Sequence, residues 1–269
     1  MTIQCGGGVY SDLTGKVALV GGSTDGIGKA VALKLAECGA DICVNGRNPA
    51  KGAKVVEAIE NLGRRAFFAS ASIREYEQCE AMVAETIAKL GRLDIAVANG
   101  GAQPFDAPRT LPNYFRNTEI ADFAELAHSR WLSRAYLMRA ALEPMIEQHY
   151  GKIVVITTDA GRWPTPGEAV NGGAAAGLIM MNRVVAKEIT RWGVRLNTVA
   201  ISLTGDSMDE FGTFLDSPVG ATFRKIADKM PFGLTPRAEV ADAVLYFASP
   251  DSDHCTGAVL SINGGLSFP

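Results

Sequence analysis

The most specific chemistry in this sequence is carried by glycine. Gly22, Gly26 and Gly28 stand directly after a short apolar run at 16–20 and open into a helical pattern, the context of an anion-binding strand–turn–helix. Gly22 lets the chain turn sharply, Gly26 lets backbone N–H groups approach a pyrophosphate, and Gly28 permits close packing of helix on strand. The helix N-terminus adds partial positive charge. A tight turn without a ligand also uses glycine, so the expectation of a dinucleotide rests on the triplet together with its flanking elements. Arg47 follows the second predicted strand, where an acidic side chain would accept from a ribose 2′-hydroxyl and an arginine would pair with a 2′-phosphate. That residue type predicts NADP(H) over NAD(H), with a solvated surface arginine as the alternative.

The rest of the chain reads as the scaffold such a turn needs. Its 269 residues suit one large α/β domain, and 47% apolar with 20% charged residues is an ordinary globular composition. A net charge of −3 gives no reason to expect nucleic acid or a membrane surface. Cys5, Cys38, Cys43, Cys79 and Cys255 are scattered without metal-ligand spacing, so neither a disulfide framework nor a zinc site is expected. A reducing cytoplasm is the expected location. The start lacks a basic stretch followed by an apolar core, and no run of about 18 apolar residues follows, so neither export nor a membrane span is expected.

Strands are predicted at 16–20, 41–45, 66–69, 93–98, 152–157, 194–200 and 258–262, and helices at 28–38, 49–62, 75–90 and 172–191, with two more between 120 and 148. Asn48 before Pro49 marks one helix start, and Gly39 and Gly91 mark two ends. This alternation predicts a single-domain α/β fold over 1–269, with 1–12 as an extension. It is a Rossmann-type doubly wound parallel sheet of about seven strands with helices on both faces. The irregular stretches at 101–118 and 202–232 follow strand ends, where such sheets keep their ligands.

From about Leu13 to Leu266 the sequence resembles the short-chain dehydrogenase/reductase family. Gly22, Gly26, Ile27 and Gly28 match that family's first motif, and the segment 94–101 matches its Asn-Ala-Gly stretch through Asn99. Residues 195–200 and Asn263-Gly264-Gly265 match two later landmarks. The resemblance implies an NAD(P)-dependent oxidoreductase fold with cofactor contacts at Gly22, Gly26, Ile27, Gly28, Arg47 and Asn99. Gly21 departs from the family's usual Thr, and Ser72 from its usual Asp beside the adenine.

The resemblance also implies four catalytic positions, and these are altered. The family uses a Tyr as general acid/base, a Lys one helical turn later that favours the phenolate, a Ser that polarises the carbonyl, and a helical Asn. A phenol with an ordinary pKa of about 10 needs such a neighbouring cation to work near neutrality. Here Thr158 falls at the Ser position, Asn171 at the Tyr position, Ala175 at the Lys position and Arg130 at the Asn position, with Ser129 or His128 one or two residues away. No tyrosine lies between Thr158 and Arg191, and the lysine in that stretch, Lys187, is about three turns past Ala175, so no change of register restores the pair. Ile201-Ser202 replaces the Pro-Gly that contacts the nicotinamide amide.

Asp159, Glu168, His128, His149, Arg130 and Arg162 are the groups that could supply replacement chemistry, since burial raises a carboxyl pKa and histidine titrates near neutrality. Each has an ordinary role as well: Glu168 after Pro166-Gly167 reads as a solvated loop residue, His149 as a helix end, and Arg162 beside Trp163 as packing. The small residues at 172–177 suit close helix packing, either within the chain or against a second subunit. Three functions stay open. The first is a catalytically degenerate subunit supporting an active paralogue in a tetramer, with NADP bound weakly or not at all. It resembles the inactive partner in heteromeric acyl-CoA dehydrogenases of the family, such as that of anaerobic benzylsuccinate degradation. The second is an active NADP(H) oxidoreductase with a different acid/base set, and the third a lyase or dehydratase on the same fold.

Overall fold

The computed structural model describes residues 2–5, 8–101, 114–208, 212, 216 and 218–268. A hairpin comes first, β1 (Thr2–Cys5) antiparallel to β2 (Gly8–Ser11), with Thr2 opposite Ser11. Sequence alone predicts only an extension here, because four-residue strands around a Gly-rich turn carry too little alternation to register.

The main sheet has seven parallel strands: β3 (Val17–Val20), β4 (Asp41–Gly46), β5 (Ala66–Ser70), β6 (Ile95–Ala98), β7 (Gly151–Thr158), β8 (Val194–Ile201) and β9 (Val259–Ile262), in the spatial order β5-β4-β3-β6-β7-β8-β9. β3 pairs with both β4 and β6, so the winding reverses there and opens a crevice beyond the carboxyl ends of β3 and β6. β3, β4 and β6 are buried along their whole length, which is why they read as unbroken apolar runs and not as alternation.

Helices cover both faces. α1 (Gly26–Glu37) starts at Asp25, whose carboxylate accepts from the Gly26 N–H at 2.8 Å, and α2 (Pro49–Asn61) starts at Asn48, which accepts from the Lys51 N–H at 3.1 Å. α3 (Tyr76–Leu90) stops at Gly91 in the left-handed region at φ 94°. Val31 and Leu35 of α1 and Val55 and Ile59 of α2 fill one core with Val240, Val244 and Phe247. Met82 and Val83 of α3 join Leu137, Met145, Leu178 and Ile189 in the other.

Three elements differ from expectation. Instead of two separate long helices, α4 (Ile120–Ala127), one wide π turn (His128–Leu132) and α5 (Ser133–Glu147) form one continuous rod. α6 (Ala169–Ile189) begins three residues earlier than predicted, so Glu168 caps it. α7 (Pro218–Ala227) and α8 (Arg237–Ala248) went unpredicted; seven of the twelve α8 residues are buried, which erases a one-faced pattern. Within the two irregular stretches, residues 102–113, 209–211, 213–215 and 217 lie outside the described residues.

Two buried charges pin the amino-terminal edge of the sheet. Asp94, fully buried, accepts from the Val17 N–H at 3.0 Å and from Arg92 at 2.6 and 2.7 Å. Lys152, also fully buried, donates to the Ser249 carbonyl and Ser252 hydroxyl and pairs with Asp253 at 2.8 Å. An Asp94→Ala substitution strands the Val17 N–H, and urea unfolding is expected to find a loss of about 2 kcal/mol. A loss below a few tenths of a kcal/mol would mean that this tie contributes nothing.

Candidate functional site

The glycine turn sits at the mouth of the crevice. Gly22 and Gly26 have positive φ of 61° and 55°, and a Cβ on Gly28 would collide with the Gly22 carbonyl oxygen. Gly21 is equally constrained, since a Cβ there would lie 2.7 Å from the Asn99 carbonyl oxygen. The departure from Thr at this position goes with close approach of the two strand ends. Asn99 Nδ2 donates to the Gly21 carbonyl at 3.1 Å, tying the β6 loop to the turn.

Two residues that the sequence reading passed over hold the turn from the other side. Asn45 Oδ1 accepts from the Gly22 N–H at 3.1 Å, and its Nδ2 donates to the Ala69 and Ala71 carbonyls. Ser23 Oγ donates to the Val20 carbonyl at 2.7 Å and accepts from the Asn45 N–H at 2.9 Å. A polar residue in an otherwise apolar strand, as Asn45 is, was the available signal. Arg47 is exposed just past β4, beside this cradle.

Deeper in, a cavity of about 640 Å³ opens between the ends of β6, β7 and β8 and the helices. Ile27, Asn99, Arg130, Thr158, Asp159, Glu168 and Asn171 line it. Thr158 Oγ1 accepts from the Ala160 N–H at 3.2 Å, capping the short turn that begins at Asp159. Of the three residues at the helical Asn position, Arg130 lines the cavity, whereas His128 Nε2 contacts the Arg74 carbonyl at 2.9 Å and Ser129 Oγ donates to the Leu126 carbonyl. Ala175 is fully buried, and a Cβ placed on Gly161 would lie 2.8 Å from its methyl group. Among the described residues the lining holds no tyrosine, and its one lysine, Lys229, is exposed on the α7 side.

The candidates for replacement chemistry divide in two. Asp159, Glu168 and Arg130 are in the cavity wall, and His128, His149 and Arg162 are not. His149 sits just past α5 at φ 51°, and Arg162 donates to Ser261 Oγ at 2.5 Å. Asp159, 4% exposed, is spoken for: its oxygens accept from Ser261 at 2.8 Å, from Asn263 at 2.7 Å, and from Ser267. Glu168 is not the solvated loop residue expected. Once α6 starts at Ala169, its side chain turns inward, where Asn171 Nδ2 donates to Oε2. Burial pushes the Glu168 carboxyl above its ordinary value of 4.5 against the opposing pull of Asn171 and Arg130.

Arg134 was missed altogether, although it lies four residues after Arg130 on the same rod. It is 7% exposed and lines the cavity. Its Nε donates to the Ile156 carbonyl at 2.7 Å, and its Nη1 donates to the Ser129 and Arg130 carbonyls at 2.9 and 3.1 Å. Burial brings its pKa from 12.5 down to about 9, so it stays charged at neutral pH. Among the described residues no cysteine lines the cavity, and burial pushes the Cys43 and Cys79 thiols up to about 12.

The small-residue helix resolves into two faces. Inward, a Cβ on Gly172 would lie 2.7 Å from the Ala160 carbonyl oxygen and one on Gly177 would lie 3.2 Å from the Trp131 ring. Outward, Gly173 and Ala176 are exposed, as are Met180 at 58% and Val184 at 51%. Among the described residues no helix is long and apolar enough to cross a membrane.

A doubly wound sheet with a glycine-rich turn at its switch point and a cavity behind it defines a Rossmann-like α/β protein. A family model described as enoyl-(acyl carrier protein) reductase matches residues 22–267. A 3-oxoacyl-[acyl-carrier-protein] reductase of Rickettsia bellii is 31% identical over 257 residues, covering 95% of this chain and 98% of the relative. A cyclohexanol dehydrogenase of Rhodococcus sp. is 30% identical over 272 residues, covering 95% and 97%. A solved short-chain type dehydrogenase/reductase from Mycobacterium marinum superposes with a TM-score of 0.82 at 24% identity, over 96% of this chain and 97% of that one. This chain belongs to the short-chain dehydrogenase/reductase family, a family of oxidoreductases.

A raised carboxyl pKa means that the folded state holds a proton which the unfolded state has released. Stability is therefore expected to fall as pH rises from the unfolded Glu168 value through the folded one. Comparing urea midpoints of the wild type and Glu168→Gln between about pH 4 and pH 7 isolates this contribution. The substitution is expected to remove that slope, and an unchanged slope would place the titration elsewhere.

Proposed function

We propose that this chain is a catalytically degenerate short-chain dehydrogenase/reductase subunit. It would support an active paralogue with an intact Tyr-x-x-x-Lys pair, most simply in a tetramer with two copies of each. What supports the reading is the match to the family motif, which puts Asn171 and Ala175 at the proton-transfer positions, together with a cavity lining that holds no tyrosine among the described residues. An amide does not titrate near neutral pH, and the methyl of Ala175, closed against Gly161, cannot hold a ribose. The names of the relatives describe reductases and dehydrogenases, and this reading departs from them at those two residues. A scaffold kept without its proton-transfer pair fits a role in assembly, and the exposed outer stripe of α6 offers Gly173, Ala176, Met180 and Val184 as a contact surface. Ala175, on the inward face, takes no part in such a surface.

The cradle fits a dinucleotide at its phosphate end. Gly22, Gly26, Ile27, Gly28 and Asn99 would hold the pyrophosphate and Arg47 a 2′-phosphate, which favours NADP(H) over NAD(H). The reactive end lacks partners at Ala175 and at Ile201-Ser202, so binding would be weak and carried by the adenosine half. When bound, a nicotinamide supplies hydride chemistry; what this chain contributes is the phosphate cradle.

With a panel of alcohols and ketones and either cofactor, the purified chain is expected to turn over at background. A kcat near about 10 s⁻¹ would overturn the reading and make Glu168 the first acid to test. Co-expression with a relative that keeps the pair is expected to yield a mixed oligomer, and Met180→Arg to break it. Recovery of homo-oligomers alone, with the relative fully active by itself, would sink the assembly role. Calorimetry is expected to find NADPH bound at least about tenfold more tightly than NADH, with Arg47→Ala erasing the preference. Tighter NADH binding would reverse the assignment of Arg47.

A further inference from the structure

The cavity has an unusual charge distribution for a site among apolar strand ends. Arg130 and Arg134 line it from one rod, with Lys229 at its exposed side, against two carboxylates, Asp159 and Glu168. Asp159 is taken up by Ser261, Asn263 and Ser267, and Glu168 is engaged by Asn171 and by the charge of Arg130. Arg134 is left with carbonyl acceptors at its Nε and Nη1 and, among the described residues, no carboxylate. Among the described residues its Nη2 has no hydrogen-bond partner, which leaves one edge of the guanidinium for a ligand. A cation buried to 7% exposure without a counter-ion is costly, and an anion entering the cavity would offset that cost.

The remaining walls select among anions. Ile27, Ile156, Trp163, Ile201, Phe223 and Leu266 are apolar, and about 640 Å³ is room for a small organic molecule, not only for an ion. We propose that this cavity binds an organic carboxylate, its carboxylate held by the Arg134 and Arg130 guanidiniums and its hydrocarbon part lying against Trp163 and the neighbouring aliphatic side chains. A planar guanidinium matches a carboxylate edge to edge, which a lysine in the same place would not. Glu168 then acts as a competitor for Arg130, limiting affinity until the ligand displaces it. The ligand class rests on the reading of this cavity as one without hydride transfer. Binding is measured without turnover, so failure of one leaves the other standing.

The test is calorimetric titration of the full chain with benzoate and with hexanoate, against the neutral isosteres benzamide and hexanamide and against inorganic phosphate. One saturable site per chain is expected for a carboxylate, with its amide at least about tenfold weaker and phosphate no better than the amide. Arg134→Gln is expected to abolish binding. Because Arg134 also ties α5 to β7 and its loss can unfold the chain, Arg130→Gln provides a second variant, with an expected loss of about tenfold. Glu168→Gln, by removing the competitor, is expected to tighten binding about threefold or more, a gain that damage to the fold would not produce. Equal binding of acid and amide, phosphate binding as tightly as benzoate, or no saturable heat with either acid would overturn the proposal.

Discussion

The geometry of the cavity depends on one side chain, Arg134. A π turn widens the helical ladder at His128–Leu132 and leaves carbonyls without their usual i+4 donors. Arg134 reaches back to two of them, Ser129 and Arg130, and with its Nε takes the Ile156 carbonyl on β7. A single guanidinium thus closes the backbone of the rod and fastens it to the strand that delivers Thr158 and Asp159. Without that tie the Ser129 carbonyl would keep the Ser133 hydroxyl as a donor, but the rod would lose its bond to the Ile156 carbonyl of β7. π turns are frequent at functional sites, and here Arg130 lies within the turn and lines the cavity.

The position of positive charge follows from this. The helix after β7 puts no cation into the cavity at Ala175, which packs on Gly161. Here the buried cations stand on the opposite wall, on the rod, and α6 contributes a carboxylate at its start through Glu168. Asn171 and Glu168 therefore face the cavity from the start of α6, and the two arginines from the rod. The two halves of the crevice are held by different contacts. At the glycine turn, Gly21, Gly22 and Gly28 are fixed by contacts with Asn99 and with each other. Those contacts hold the sheet together at its switch point whether or not a ligand binds. At the far end the cavity wall is held by different contacts: Asp159 to Ser261 and Asn263, and Arg134 to the Ile156 carbonyl.

Most of the fold was legible in the sequence because its signals are local. Apolar runs and helix-end signals such as Gly39 and Gly91 placed the seven sheet strands and α1, α2 and α3 to within two residues, and the glycine triplet placed the switch point. What was missed depends on burial from several sides or on backbone detail. α8 is buried on most of its surface, so its sequence has no polar face to reveal its period. The π turn has no composition of its own. Glu168 was misplaced because Pro166-Gly167 argued for a loop, and the start of α6 three residues early was enough to turn the side chain from solvent to cavity. Asn45 and Arg134 act through backbone carbonyls distant in sequence, and pairing of that kind leaves no trace in a linear pattern.

The two faces of α6 separate stability from assembly in a way that composition alone cannot. Gly172, Ala175 and Gly177 carry small side chains because Ala160, Gly161 and Trp131 press against them, so each is needed for the chain's own packing. At Gly173 a Cβ would meet nothing within 4 Å, and this residue shares the outer face with Ala176, Met180 and Val184. A glycine in a helix interior costs roughly 0.5–1 kcal/mol against alanine, and at Gly172 and Gly177 that cost is offset inside the chain. At Gly173 it is not. Among the described residues, then, packing within the chain accounts for the glycines at 172 and 177 but not for the one at 173.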